Sequence, residues 1–220
     1  MNDTVSTPQV YKGLVGVHAD VTAVSKVMPE TNSLTYRGYA VQDLAEQCRF
    51  EEVAYLLLNG ELPNRKQLNA FTKEERENRK ISKVLIRAIE SFPRKAHPMD
   101  ATRTAVSFLG LEDAEAQDVS EAATRRKAMR LYAKIPTAIA AISRLRKGLR
   151  PIQPKRELGF SENIFHMFFG RVPDPEIVKA FDVSMTLYAE HSFNASTFAA
   201  RVVASTGADL HAAVTADRFC

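Results

Sequence analysis

Beyond residue 40 the apolar residues of this chain recur at helical spacing, broken by one linker. Within 81–92, Ile81, Val84, Leu85, Ala88, Ile89 and Phe92 fall at i, i+3, i+4, i+7, i+8 and i+11, a single apolar stripe on an amphipathic helix. Residues 97–110 open on His97-Pro98 and reach Gly110. Proline suits a first helical turn and glycine the position just past a last one. Met99, Thr102, Val106 and Leu109 would then line the inner face. The segment TAIAAISRLRKG runs to another glycine, Gly148, and residues 148–159, with Pro151, Pro154 and a glycine at either end, read as a linker.

The next helix begins at Asp174-Pro175-Glu176. Aspartate can cap free amides, proline fits the first turn, and glutamate suits the positive end of the helix dipole. Ile177, Ala180, Phe181, Ser184, Leu187 and Tyr188 share one face of it. A last helix spans about 194–206 and stops at Gly207; Ala195, Ser196, Ala199, Ala200 and Ala204 let another axis approach closely, which predicts a central place in a packed array. Before residue 40, residues 16–27 are rich in Val and Thr. Residues 33–39 follow after a turn-favouring connector, so one short two-stranded hairpin is expected within 14–37. The fold class is all-α with a short β-hairpin at its N-terminal end.

Composition excludes general disorder: 45% hydrophobic and 25% charged residues are ordinary for a globular chain of 220. Cys48 and Cys220 make neither a disulfide framework nor a zinc-type spacing, and Cys48, inside a helical pattern, reads as a small buried apolar residue. The opening residues lack the basic start and apolar run of a secretory signal, and no stretch approaches the roughly 20 apolar residues that cross a bilayer. A cytoplasmic chain with no membrane partner is expected.

The net charge is +4, but its distribution is uneven. Glu112, Asp113, Glu115, Asp118 and Glu121 are followed directly by Arg125, Arg126, Lys127, Arg130 and Lys134, and a second basic cluster comprises Arg144, Arg146, Lys147, Arg150, Lys155 and Arg156. These runs are either solvated faces or a site for phosphates or nucleic acid. No aromatic residues are interleaved with them, which argues against a nucleic-acid partner.

The five histidines, His18, His97, His166, His191 and His211, include no i, i+4 pair and no Cys/His cluster, so no metal is expected. Neither a glycine-rich phosphate loop nor a nucleophile elbow occurs. His166, in NIFHMFF, reads as a buried, hydrogen-bonded core histidine, and His97 as part of a helix start. His18 lies in the expected hairpin. His191 differs, because in YAEHSFNAST it falls between one helix and the next. Helix termini offer unsatisfied backbone groups, and imidazole can donate to a carboxylate or carbonyl oxygen near neutral pH. Asn194 adds an amide, and Ser196 and Thr197 add hydroxyls. On residues alone this is either a small-anion site or a junction whose polar groups cap its neighbours.

YAEHSFNASTFAARVVAST resembles the citrate-synthase-family segment whose histidine contacts oxaloacetate. In the same order along the chain, GLVGVHADVTAVSKV and LTYRGYAVQDLAE resemble that family's N-terminal hairpin and first helix. FEEVAYLLLNGELP and HPMDATRTAVSFLG resemble its next helical segments. The wording of YAEHSFNASTF with HPMD is most similar to the 2-methylcitrate synthase branch. The resemblance implies an all-α fold, an acyltransferase that works as a dimer, and oxaloacetate with propionyl-CoA or acetyl-CoA as partners. The acyl-CoA is a substrate, and no cofactor is implied. A carboxylate removes a proton from the acyl carbon, a histidine stabilises the enol, and the carbon attacks the oxaloacetate carbonyl before the thioester is hydrolysed.

Carried over residue by residue, the resemblance makes His191 an oxaloacetate contact and Asn194 its neighbour in the site. Arg65, in GELPNRKQL, is similar to an arginine that some 2-methylcitrate synthases place near substrate, or else is a solvated arginine at a helix start. Arg37, in YRGY, reads as a structural ion-pair partner. The family's catalytic histidine, in a G-P-L-H-G-G type loop, and its catalytic aspartate would lie beyond Cys220. The family also favours tyrosine where His211 stands and glycine where Ala216 stands. The resulting expectation divides the chain into a flexible 1–10, a partial helical domain over 11–216 and a non-family tail at 217–220. Such a chain would be truncated before the catalytic loop and inactive by itself. The alternative is a non-catalytic dimerising or regulatory helical protein.

Overall fold

The computed structural model describes residues 11–14, 16–18 and 20–217, so the expectations for 1–10 and 218–220 lie outside it. Three strands open the fold: β1 (Ser25–Met28), β2 (Ser33–Tyr36) and β3 (Tyr39–Ala40), antiparallel in the order β1-β2-β3. The expected hairpin is therefore β1 and β2, with Ser25 opposite Tyr36 and Met28 opposite Ser33. The third strand comes from a tight turn at Arg37 and Gly38, with φ of 50° and 92°. Two positive φ values in a two-residue loop are what a hairpin turn needs to match strand twist. Among the described residues of 16–24 there is no strand.

Ten α-helices follow among the described residues: α1 (Val41–Gln47), α2 (Phe50–Asn59), α3 (Arg65–Asn78), α4 (Lys83–Glu90), α5 (Pro98–Glu112), α6 (Glu121–Arg146), α7 (Phe160–Phe169), α8 (Pro175–Leu187), α9 (Ala195–Ser205) and α10 (Leu210–Asp217). The spine is α6, against which α3, α4, α5 and α7 pack. Leu85, Ile89, Ala105, Val106, Leu109, Leu131 and Ile142 close one core between α4, α5 and α6. A second core joins the sheet to α1 and α2 through Tyr36, Val41, Leu44, Val53 and Leu56. Between them Tyr132 stacks on Phe160 with ring centroids 4.8 Å apart, and Phe50 packs on both rings.

Several boundaries behave as the residues dictate. His97 caps α5, its Nδ1 accepting from the Met99 amide at 3.2 Å. Gly148 and Gly207 take positive φ past the ends of α6 and α9, where a side chain would strain the backbone. The linker 148–159 holds no regular element, but it is not loose. The Arg79 guanidinium donates to the carbonyls of Lys155 (2.7 Å) and Leu158 (2.9 Å) while pairing with the buried Glu75 carboxylate at 2.7 Å.

Other expectations are corrected. Gly110 does not end its helix, since α5 runs on to Glu112; a Cβ at Gly110 would lie 2.9 Å from His211 Cβ, so its lack of a side chain serves the close seating of α10. Val84 and Met99 face solvent because a helical stripe wider than the core leaves its margins exposed. Ile177, Leu187 and Tyr188 are exposed as well. Asp174 makes no side-chain cap to α8. The small-faced α9 buries no residue and rests mainly on α10, so within this chain it lies at the margin rather than the centre.

Candidate functional site

His191 sits in the short connection between α8 and α9, and the N-terminal sheet grips that connection. The Tyr36 hydroxyl donates to the Thr186 carbonyl at 2.9 Å and accepts from the Glu190 amide at 3.3 Å. Ser25 Oγ donates to Glu190 Oε1 at 3.2 Å and accepts from the Ser192 amide at 2.6 Å. Ser192 itself has φ of 71°, a left-handed conformation unusual for a residue with a side chain. Further on, Arg201 of α9 lies 4.9 Å over the Phe193 ring and pairs with Asp20. The imidazole of His191 is exposed, and no hydrogen bond occupies it among the described residues.

Asn194 is the cap of α9, its Oδ1 accepting from the Thr197 amide at 2.8 Å. Its amide nitrogen is left for other partners. Arg65, the first residue of α3, is exposed, and no hydrogen bond or ion pair joins it to His191 or Asn194 among the described residues. The structure thus brings His191 and Asn194 to one turn and gives Arg65 no contact with either. Three cavities among the described residues, one between α4, α5 and α6, one beside α1, α7 and α8, and one between α2, α3 and α6, have none of the three in their walls.

The other histidines lie away from this junction. His166 is half-buried on α7 rather than fully enclosed, because only one side of that helix meets the core. His18 is exposed. Cys48 is half-buried at the end of α1, and burial pushes its thiol up from the ordinary value. Arg37 is structural, yet its partners are carbonyls rather than an acid: the guanidinium donates to Leu57 at 3.2 Å and approaches Ala23.

The acidic run and the first basic run pair in part with each other, while Arg125 and Glu121 stay largely solvated and the second basic cluster meets carbonyls or lies exposed, with Arg144 reaching the carbonyls of Arg150 and Phe168. Arg126 and Arg130 donate to Glu115 at 2.9 and 2.8 Å, and Arg130 also clasps Asp113. Fully buried Lys127 donates to the carbonyls of Ala116 and Asp118. Buried His211 lies 3.5 Å from Asp113 and 3.4 Å from Asp209; burial lowers its pKa against the pull of those carboxylates.

The hydrogen bonds from Arg126 and Arg130 hold Glu115 at about 2, well below its ordinary 4.5. A lowered carboxylate stabilises the fold above its unfolded value, and that contribution disappears as pH falls toward the folded one. The thermal midpoint is therefore expected to drop between pH 4.5 and about 2, and the drop should be shallower in Glu115→Gln; calorimetry across that range checks it.

Ser25, Tyr36, Asp20 and Arg201 escape sequence reading. Their partners lie 150 to 181 residues away, and no local pattern encodes such pairings.

The class of molecule so defined is a helical array whose small leading sheet clamps one polar helix junction. The family model described as citrate synthase, C-terminal domain, matches residues 13–217. The chain belongs to the citrate synthase family. It is 56% identical over 210 residues to a citrate synthase of Mycolicibacterium smegmatis, covering 95% of this chain and 56% of that one. It is 53% identical over 208 residues to a 2-methylcitrate synthase of Mycobacterium tuberculosis, covering 94% and 52%. Its fold matches a citrate synthase of the archaeon Thermoplasma acidophilum, solved in ternary complex with carboxymethyl coenzyme A and oxaloacetate. That match has a TM-score of 0.91 and 26% identity, and covers 96% and 56% of the two chains. The chain spans about half the length of the curated relatives it matches.

Proposed function

We propose that this chain contributes the oxaloacetate-contacting junction of an acyltransferase that condenses oxaloacetate with propionyl-CoA or acetyl-CoA to 2-methylcitrate or citrate. The observation that carries the reading is the imidazole of His191, exposed and unoccupied among the described residues on a turn fixed from both sides. A fixed ring can hold a donor toward a carboxylate or ketone oxygen without spending binding energy on ordering itself. Relatives named for each of the two products stand at similar identity, and one methylene in an apolar pocket is worth only about 1–3 kcal/mol, so both acyl groups fall within the proposal. The reading needs no cofactor, only the acyl-CoA as substrate, and a cytoplasmic setting.

Oxaloacetate should shift the His191 ring resonance of the 220-residue chain, with a Kd of about 1 mM, as expected from one or two charge-assisted bonds of about 1.5–3 kcal/mol each. His191→Ala should abolish binding. Absence of any response in the parent chain, or saturable binding that survives in His191→Ala, would sink the reading.

Ile177 and Leu187 on α8, with Tyr188 just past its end and 86% exposed, offer apolar surface that supports self-association into a homodimer. The same surface favours a second reading, a non-catalytic dimerising helical protein. Sedimentation should find a concentration-dependent dimer that Tyr188→Glu dissociates. Mixing the chain with a full-length relative separates the two readings, because co-assembly that changes the relative's activity supports the second.

A further inference from the structure

We infer that Ser25 and Tyr36 are positioning residues for His191, acting together as a two-hydroxyl staple across the N-terminal sheet. The two residues are direct partners in the β1–β2 ladder, so their side chains leave the same face of the sheet. Both are buried. Their hydroxyls accept from the amides of the two residues that flank His191: Tyr36 takes the Glu190 amide and Ser25 the Ser192 amide. The residue carrying the imidazole therefore hangs between two amides, each fixed to the same pair of strands.

The backbone shows why such a staple is needed. Ser192 holds φ of 71°, which for a residue with a Cβ persists only where its surroundings over-determine it. The 2.6 Å bond from its amide to Ser25 Oγ provides that constraint. Ser25 Oγ in turn donates to Glu190 Oε1, so the carboxylate before His191 and the amide after it share one hydroxyl. Tyr36 also donates to the Thr186 carbonyl at the end of α8, which ties the loop to the last helical turn. With either hydroxyl gone, Ser192 can relax toward ordinary backbone and swing the His191 ring away.

The positional claim stands on these contacts alone; its effect on ligand affinity rests on the oxaloacetate reading above. The test uses the 220-residue chain with Tyr36→Phe, which keeps the buried ring, and Ser25→Ala, alongside Ser25→Thr, which keeps the hydroxyl. Amide hydrogen exchange should quicken about fivefold to tenfold at Glu190 in Tyr36→Phe and at Ser192 in Ser25→Ala, the loss expected for one hydrogen bond. The His191 ring resonance should move in both variants, oxaloacetate affinity should fall by a similar factor, and Ser25→Thr should restore parental behaviour. Leu85→Ala, in the separate α4–α6 core, serves as the control that lowers stability without moving either signal. Unchanged exchange and ring resonance in both hydroxyl variants overturns the inference, and so does an equal change in Leu85→Ala. A parent chain that ignores oxaloacetate would refute the ligand reading, while the exchange data still decide the staple.

Discussion

Arg79→Ala is expected to cost the fold about 3–5 kcal/mol, the usual penalty for removing one partner of a buried ion pair. Both groups are essentially without solvent: side-chain exposure is 1% for Arg79 and 2% for Glu75. The guanidinium meets the carboxylate through two bonds of 2.7 Å and spends its remaining nitrogen on the Lys155 and Leu158 carbonyls. Losing it strands a carboxylate and frees the linker ahead of α7 in one step. Burial already pushes the Glu75 pKa up, with Arg79 opposing the shift. Without Arg79 the folded value rises further above the unfolded one, so the added cost is fully felt at neutral pH and relieved as pH falls through that raised value. Urea unfolding at pH 7 and pH 5 should show the deficit shrinking at the lower pH. A deficit under about 1 kcal/mol at pH 7 would mean that the pair does not anchor the linker.

Lys127→Met should cost about 2–6 kcal/mol, since it keeps most of the buried stem but orphans two carbonyls at about 1–3 kcal/mol each. The ammonium holds Ala116 and Asp118 at 3.0 and 2.6 Å, closing the loop between α5 and α6. That loop begins with Asp113, which Arg130 grips and which faces His211 on α10. Thermal unfolding should fall accordingly, and proteolysis should cut first within 113–120. Unchanged protection of that loop would contradict the role given to Lys127.

Much of the helical frame was legible because its signals are local. The stop at Gly207, the His97 cap and the irregular stretch from Gly148 all follow from side-chain chemistry within a turn or two. Gly110 misled for the opposite reason: its lack of a Cβ serves a contact with His211, about a hundred residues further on. The charge runs were legible only in part, since a sequence cannot tell a solvated arginine such as Arg125 from one such as Arg130 that is folded back onto an acidic loop. Arg-Gly was a readable turn signal whose consequence, a third strand, went unread. At the site, the position of His191 between helices was visible in the sequence. The hydroxyls that fix it were not, because Tyr36 and Thr186 are far apart in the chain and adjacent only in space.

That separation orders events during synthesis. The strands carrying Ser25 and Tyr36 leave the ribosome 150 to 167 residues before the carbonyls and amides they will hold. At about 5–20 residues per second, the sheet waits roughly 8–30 s with its two hydroxyls facing water. The His191 turn cannot take its final shape until α8 has docked, so the proposed ligand contact forms well after the strands that hold it. The same separation makes these contacts non-local, so refolding of the 220-residue chain should show a slower phase at a His191 probe than at one in the α4–α6 core.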